Sequence, residues 1–177
     1  QHVDVSADTT GGTVAGGNAY TLTGNNASNQ LTGGAGDDTF NGAFGNDTYT
    51  GNGGVDTFNV RGDTVTITDL GEGGNDDLNV TGGRAKATVT SDWTAQPGTD
   101  NDSTDNSSVE INVEDGIDAD LSGASTSSAG YTISAQGNSS TSELIGSDEA
   151  DVITGGGGAD PLEGGLGADT ITGNAGE

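Results

Sequence analysis

Cysteine is absent from the 177 residues, so neither a disulfide nor a thiolate metal site can hold this chain together. A secreted protein stabilised by another route fits that lack. Apolar residues are also scarce: at 28% hydrophobic and 4% aromatic, the chain has too little to build an ordinary two-layer core. Basic residues number three, Arg61, Arg84 and Lys86, against 28 acids, for a net charge of −25. Such a balance predicts an acidic, self-repelling, disordered chain unless something positive offsets it. With no basic stripe to displace counterions from phosphates, nucleic acid and anionic membrane are excluded as partners. No apolar run approaches a bilayer span, so no membrane insertion is expected, and the N-terminus is neither basic nor followed by an apolar signal segment. A first residue other than Met reads as a processed product or a segment of a longer chain. The only histidine is His2, and no GxSxG elbow occurs, which leaves covalent hydrolysis without a candidate. The chain reads as a non-enzyme.

Glycine is what the sequence has in excess, 34 residues, and it is placed at a fixed period. Gly33 to Asn41 reads GGAGDDTFN, Gly42 to Thr50 reads GAFGNDTYT, and Gly51 to Asn59 reads GNGGVDTFN, a period of nine. A degenerate copy, Gly24 to Thr32 (GNNASNQLT), precedes them with Asn29 at the acidic position and Leu31 at the apolar one. A second array holds Gly146 to Thr154 (GSDEADVIT), Gly155 to Glu163 (GGGGADPLE) and Gly164 to Thr172 (GGLGADTIT). A partial copy follows from Gly173 to Glu177, and Gly137 to Ile145 reads as an eroded first member. Tyr20-Thr21-Leu22-Thr23 and Tyr131-Thr132-Ile133-Ser134 stand before the two arrays, an internal duplication offset by about 111 residues.

These copies fit the nonapeptide GGxGxDxUx, and on them the chain resembles the RTX proteins, whose repeat binds calcium. In each nonapeptide, glycine at the early positions takes positive φ without steric penalty, while the Thr, Phe, Tyr, Ile and Val after the Asp favour extended backbone. A six-residue turn therefore alternates with a three-residue strand. Two units make one flattened coil of an all-β, right-handed parallel β-roll or β-solenoid, and stacking pairs each strand with the strand two repeats on. The acids at position six, Asp38, Asp47, Asp56, Asp151, Asp160 and Asp169, are expected in one row on one edge of the stack.

Calcium is a hard cation that takes six to eight oxygens, and glycine turns without side chains can aim carbonyls at it beside those carboxylates. In the RTX family the ions sit between turns two repeats apart. The resemblance implies that Asp38 with Asp56, and Asp151 with Asp169, flank shared calcium ions. It also implies backbone ligands from Gly33, Ala35, Gly36, Gly42, Phe44, Gly45, Gly51 and Gly53 in the first array. In the second, Gly155, Gly157, Gly158, Gly164, Leu166 and Gly167 take that part. Asp69, in the exit segment Asp63 to Glu72, is similar to the acid that caps the last sites of many RTX arrays, with Asp63, Asp76 and Asp77 as lesser candidates.

The position-eight residues Leu31, Phe40, Tyr49, Phe58, Ile153, Leu162 and Ile171 point into the coil and are expected to be its whole core. One apolar side chain per nine residues recovers less than the entropy lost in ordering that backbone. Metal binding is then part of the folding free energy, and the calcium-free chain is expected to be largely unfolded.

Three regions follow: residues 1–80, a solenoid with the first array at 24–59 and its exit cap; 81–136, an irregular β region; and 137–177, a second array incomplete at its C-terminal end. Residues 96–107 read as an exposed polar loop and Trp93 as a packing residue over one sheet edge. The tripeptide Arg61-Gly62-Asp63 and the Asn106 sequon read as chance matches in such a composition. The functional expectation is an extracellular or cell-surface calcium-binding structural protein that assembles with copies of itself into a surface layer, filament or adhesin. Its motivation is that the last repeat stops at Glu177, before its Asp, leaving an unpaired strand edge. The alternative is a secretion and folding domain of a larger secreted protease, lipase or polysaccharide-modifying enzyme.

Overall fold

A computed structural model of the protein describes residues 2–4, 11–103, 108–124 and 127–176. Residues 104–107 of the polar loop, with the Asn106 sequon, and Glu177 lie outside the described residues. Each good nonapeptide forms the expected turn and short strand, because a short run around one apolar residue, such as Thr-Phe-Asn or Val-Ile-Thr, is boxed between glycines. The N-terminal part holds β1 (His2–Asp4), β2 (Gly11–Thr13), β3 (Thr21–Thr23), β4 (Gln30–Thr32), β5 (Thr39–Asn41), β6 (Thr48–Thr50) and β7 (Thr57–Val60). The middle holds β8 (Thr64–Leu70), β9 (Asp77–Val80), β10 (Arg84–Val89), β11 (Trp93–Thr94), β12 (Asp100–Asn101), β13 (Val109–Val113) and β14 (Ala119–Asp120). The C-terminal part holds β15 (Thr132–Ser134), β16 (Leu144–Ile145), β17 (Val152–Thr154), β18 (Leu162–Glu163) and β19 (Thr170–Thr172).

Among the described residues these strands form three parallel sheets. One of nine strands runs the length of the molecule in the order β2, β4, β6, β8, β10, β13, β15, β17, β19. The opposite side is shared by a six-stranded sheet (β1, β3, β5, β7, β9, β12) and a four-stranded one (β11, β14, β16, β18). Odd and even repeats thus lie on opposite faces. Phe40 stands over Phe58 and Tyr49 over Ile67, the two-repeat register that the nonapeptide predicts. The fold is a β-solenoid, as the sequence indicates. The middle segment continues the same sheets, and around β10, β11 and β12 the chain visits all three in one circuit.

Alternation decides burial. In β5, β6 and β7 the central Phe40, Tyr49 and Phe58 are buried while their Thr and Asn neighbours face outward. The three rings stack, with centroids 5.0 Å apart for Phe40 and Phe58 and 5.4 Å for Phe40 and Tyr49. Leu31 and Ile153 are buried as expected, but Leu162 is only partly covered and Ile171, on the edge strand β19 of the described sheet, is 46% exposed. Nor are these residues the whole core. The larger share comes from the middle, where longer strands bury Val65, Ile67 and Leu70 from β8, Ala85, Ala87 and Val89 from β10, and Val109, Ile111 and Val113 from β13.

The 96–107 stretch is not wholly an exposed loop. Asp100 and Asn101 pair with Asn79 and Val80, and Thr99 and Asn101 are buried. A polar residue can sit there because Asn101 donates from Nδ2 to the Gly130 carbonyl and accepts at Oδ1 from Ser103. Trp93 is buried, its indole N–H bonded to the Asp76 carbonyl at 2.9 Å.

Candidate metal centre

The position-six acids stack, but along two edges rather than one. Because successive repeats alternate between faces, Asp38 and Asp56 precede strands of the six-stranded sheet, whereas Asp47 precedes β6 of the nine-stranded sheet. In the second array Asp151 and Asp169 precede strands of the nine-stranded sheet and Asp160 precedes β18 on the other side.

Within a column one bond recurs. Asp56 Oδ1 accepts the backbone N–H of Asp38 at 2.7 Å, and Asp38 Oδ1 accepts that of Tyr20 at 2.7 Å. On the other edge Asp47 Oδ1 accepts from Asn29 N–H at 2.9 Å. The second array repeats the pattern, with Tyr131 N–H bonded to Asp151 at 2.6 Å, Asp151 N–H to Asp169 at 3.0 Å and Ser142 N–H to Asp160 at 2.9 Å. Thus Asp38 and Asp56 are brought together, as are Asp151 and Asp169, each pair 18 residues apart. The second carboxylate oxygen turns back onto its own turn: Asp38 Oδ2 accepts from Gly34 N–H, Asp151 Oδ2 from Ser147 N–H and Asp160 Oδ2 from Gly156 N–H. In Asp47 and Asp56 that oxygen is buried and has no hydrogen-bond partner.

The glycines matter at two places in each turn. A Cβ on Gly33, the first residue of its repeat, would stand 2.5 Å from Asp38 Oδ2 and 2.6 Å from the Gly51 carbonyl oxygen; on Gly155 it would stand 2.9 Å from both Asp160 Oδ2 and the Gly173 carbonyl. The space over the first glycine is therefore lined by a carboxylate oxygen and a carbonyl oxygen from the next coil. The fourth residue permits stacking: Gly54 has φ +117°, and a Cβ there would lie 2.6 Å from the Gly36 carbonyl carbon beneath it. Gly45 and Gly167 are in the same conformation. At position three the side chains of Phe44 and Leu166 point outward, 58% and 66% exposed, and that of Ala35 is exposed too. The backbone of Gly42, Gly53, Gly157, Gly158 and Gly164 forms the rest of the turns.

Burial pushes the Asp47, Asp69 and Asp151 carboxyls above their ordinary range. Asp56 rises to about 7, first through burial and then through the charges of Asp76, Asp38 and Asp69. Carboxylates that are desolvated, crowded by like charge and left with an unpaired oxygen require a cation or a proton. Calcium fits this donor set, which is all oxygen, while Arg84 and Lys86 both pair with Glu110 on the sheet face, at 2.6 and 3.0 Å. Among the described residues no three Asp, Glu, His or Cys side chains converge, so an ion here takes its remaining ligands from backbone carbonyls.

Asp69 lies over Gly51 and accepts its N–H and that of Asn52, at 2.9 and 2.7 Å, while Asp63 accepts from Gly45 N–H at 3.1 Å. Asp76 is the residue that sequence reasoning undervalued. It is buried and continues the column, its Oδ1 accepting Asp56 N–H at 2.9 Å and its Oδ2 accepting Gly71 N–H at 2.8 Å. The signal was there: Gly71 to Asn79 reads GEGGNDDLN, with glycine at positions one and four, Asp76 at six and Leu78 at eight. It lies out of phase, 20 residues after Asp56 instead of 18, because β8 runs for seven residues.

A parallel solenoid with glycine turns and stacked acids is the architecture of a calcium-binding repeat protein. The family model of the RTX calcium-binding nonapeptide repeat matches in four copies, over residues 23–58 and 145–177, so the chain carries RTX repeats. Its repeats indicate that it binds Ca2+. No curated protein and no solved structure matches the chain significantly.

Proposed function

We propose that this chain is an extracellular structural protein whose two arrays fold when calcium enters their turns, and which then assembles with copies of itself into a surface layer, filament or adhesin. The observation that carries the calcium-dependent part is the pair of buried, unpartnered carboxylate oxygens on Asp47 and Asp56. When bound, calcium supplies positive charge to these carboxylates. The first-turn glycines leave room for it, the carboxylates and carbonyls face it, and the backbone N–H bonds fix each Asp in place. The site residues named from the sequence, from Gly33 to Asp56 and from Asp151 to Asp169, form its binding set, with Asp69 at the exit. An extracellular setting is favoured because calcium is abundant outside cells, and a chain threadable without it folds only there.

The structural role is supported by the nine-stranded sheet that ties both arrays into one rod, and by a sequence whose only histidine is His2 and which has no cysteine. Static light scattering in calcium and after chelation tests assembly. Mass growth with calcium that reverses on chelation is the expected result. A monomer in both conditions overturns the assembly reading and fits instead a folding module of a larger secreted enzyme.

A further inference from the structure

We propose that Asp56 and Asp76 hold a calcium ion between them, one coil beyond the matched repeats, in a site closed by Trp93. The inference rests on the calcium reading above but adds a ligand, Asp76, that the family model, ending its first match at residue 58, leaves out.

Three observations converge on the site. Asp56 is fully buried and its Oδ2 has no hydrogen-bond partner, facing the space over Gly51. Asp76, also fully buried, stacks on Asp56 through the same N–H to Oδ1 bond that joins Asp38 to Asp56. The Gly71–Asp76 turn lies on the Gly51–Asp56 turn as closely as repeats do: a Cβ on Gly74 would be 2.5 Å from the Gly54 carbonyl oxygen, and Gly73, at φ +83°, would meet Gly53 Cα at 2.6 Å. The two carboxylates of successive coils and the carbonyls of two stacked turns are the oxygen set that a calcium ion takes.

Above Asp76 the arrangement changes. Trp93 donates its indole N–H to the Asp76 carbonyl and its Cβ lies over Gly71, so an apolar ring takes the place of a further acid turn. The column of stacked acids therefore ends there. Since Trp93 is the single tryptophan of the chain, it is also a built-in reporter of the site.

The experiment uses the full chain and terbium as a luminescent stand-in for calcium, excited where only indole absorbs, with calcium-induced sheet followed in parallel by circular dichroism. The wild type is expected to show indole-sensitised terbium emission. Asp76→Asn should reduce it to the level of Trp93→Phe, while Asp148→Asn, a change at an exposed acid of the second array, should leave it at the wild-type level. Undiminished emission from Asp76→Asn, in a protein that still gains sheet with calcium, overturns this site alone. A wild type that gains no sheet with calcium overturns the proposed function instead. Should Asp76→Asn fail to fold, anomalous diffraction from terbium-soaked wild-type crystals decides: a peak between Asp56 and Asp76 supports the site, and peaks in the arrays with none there overturn it.

Discussion

The repeat arrays and the segment between them form one rod but are held together by different physics. In the arrays the units from Gly33 to Asn59, and Gly146 to Thr154, each bury one apolar side chain, such as Phe40 or Ile153, and one acid, while the last two repeats leave Leu162 and Ile171 partly open. In the middle, β8, β10 and β13 each bury three apolar residues, and Trp93, Leu121 and Tyr131 add to them. The acids differ in the same way. Asp115, on an exposed turn, is held below the ordinary carboxylate range by backbone N–H bonds from Ser140 and Ser139, so its charge suits the fold. Burial drives Asp56 in the first array up to about 7, and Asp76 in the coil that follows it likewise, so their charge opposes it. On the proposed function, one rod joins a region stabilised by hydrophobic contact to two regions that need a cation.

Substitutions in the two cores separate these regimes most strongly. Phe58→Ala should cost about 3–5 kcal/mol of the calcium-dependent transition and leave the calcium-free state unchanged, because the first array is already open there. Ile111→Ala should cost about 2–5 kcal/mol both with calcium and without it. Denaturant titrations in calcium and in chelator check both. Equal losses for Phe58→Ala in the two conditions would dissolve the distinction.

Backbone comes next. Gly54→Ala places a side chain at φ +117° against the Gly36 backbone and should destabilise the calcium-loaded first array by about 1–3 kcal/mol, read as a higher calcium midpoint in circular dichroism.

Acid should act on the two states in opposite directions. The folded-state values of Asp56 and Asp76, about 7, lie above the unfolded value near 3.8. Without metal, their contribution is therefore favourable below pH 4 and lost as pH rises toward 7. The calcium-free chain should gain sheet on acidification from pH 7 to 4, whereas in calcium the same change should weaken the arrays, since protons compete for the ligands. A metal-free signal that is flat over this range would contradict the burial of these acids. The smallest effect is expected on the sheet face, where Glu110→Gln breaks the half-exposed pairs with Arg84 and Lys86 and should change stability by about 0–1 kcal/mol.

Legibility in the sequence followed the period. Where nine residues repeat without slippage, the strand positions, the inward Phe40, Tyr49 and Phe58 and the pairing of Asp38 with Asp56 could all be read, because glycine and aspartate each have one role at one phase. The placement on two edges was missed for a geometric reason: a coil contains two repeats, so neighbouring acids fall on opposite sides. Gly71 to Asn79 was hidden by the two residues that β8 adds before it. The middle strands alternate small residues such as Ala85 and Ala87 with polar ones, a pattern that shows a strand but not which sheet receives it. That Thr99 and Asn101 would be buried was not readable from a run of polar residues, since their partners, Leu78 N–H and the Gly130 carbonyl, come from distant coils.

Hydrogen exchange read by mass spectrometry on the full chain, in calcium and in chelator, compares the two regions in one sample. In calcium, amides throughout both arrays and the middle should be protected. After chelation, residues 24–59 and 146–172 should exchange freely while β8, β10 and β13 keep measurable protection. Arrays that stay as protected in chelator as in calcium would show that their stacked acids need no cation.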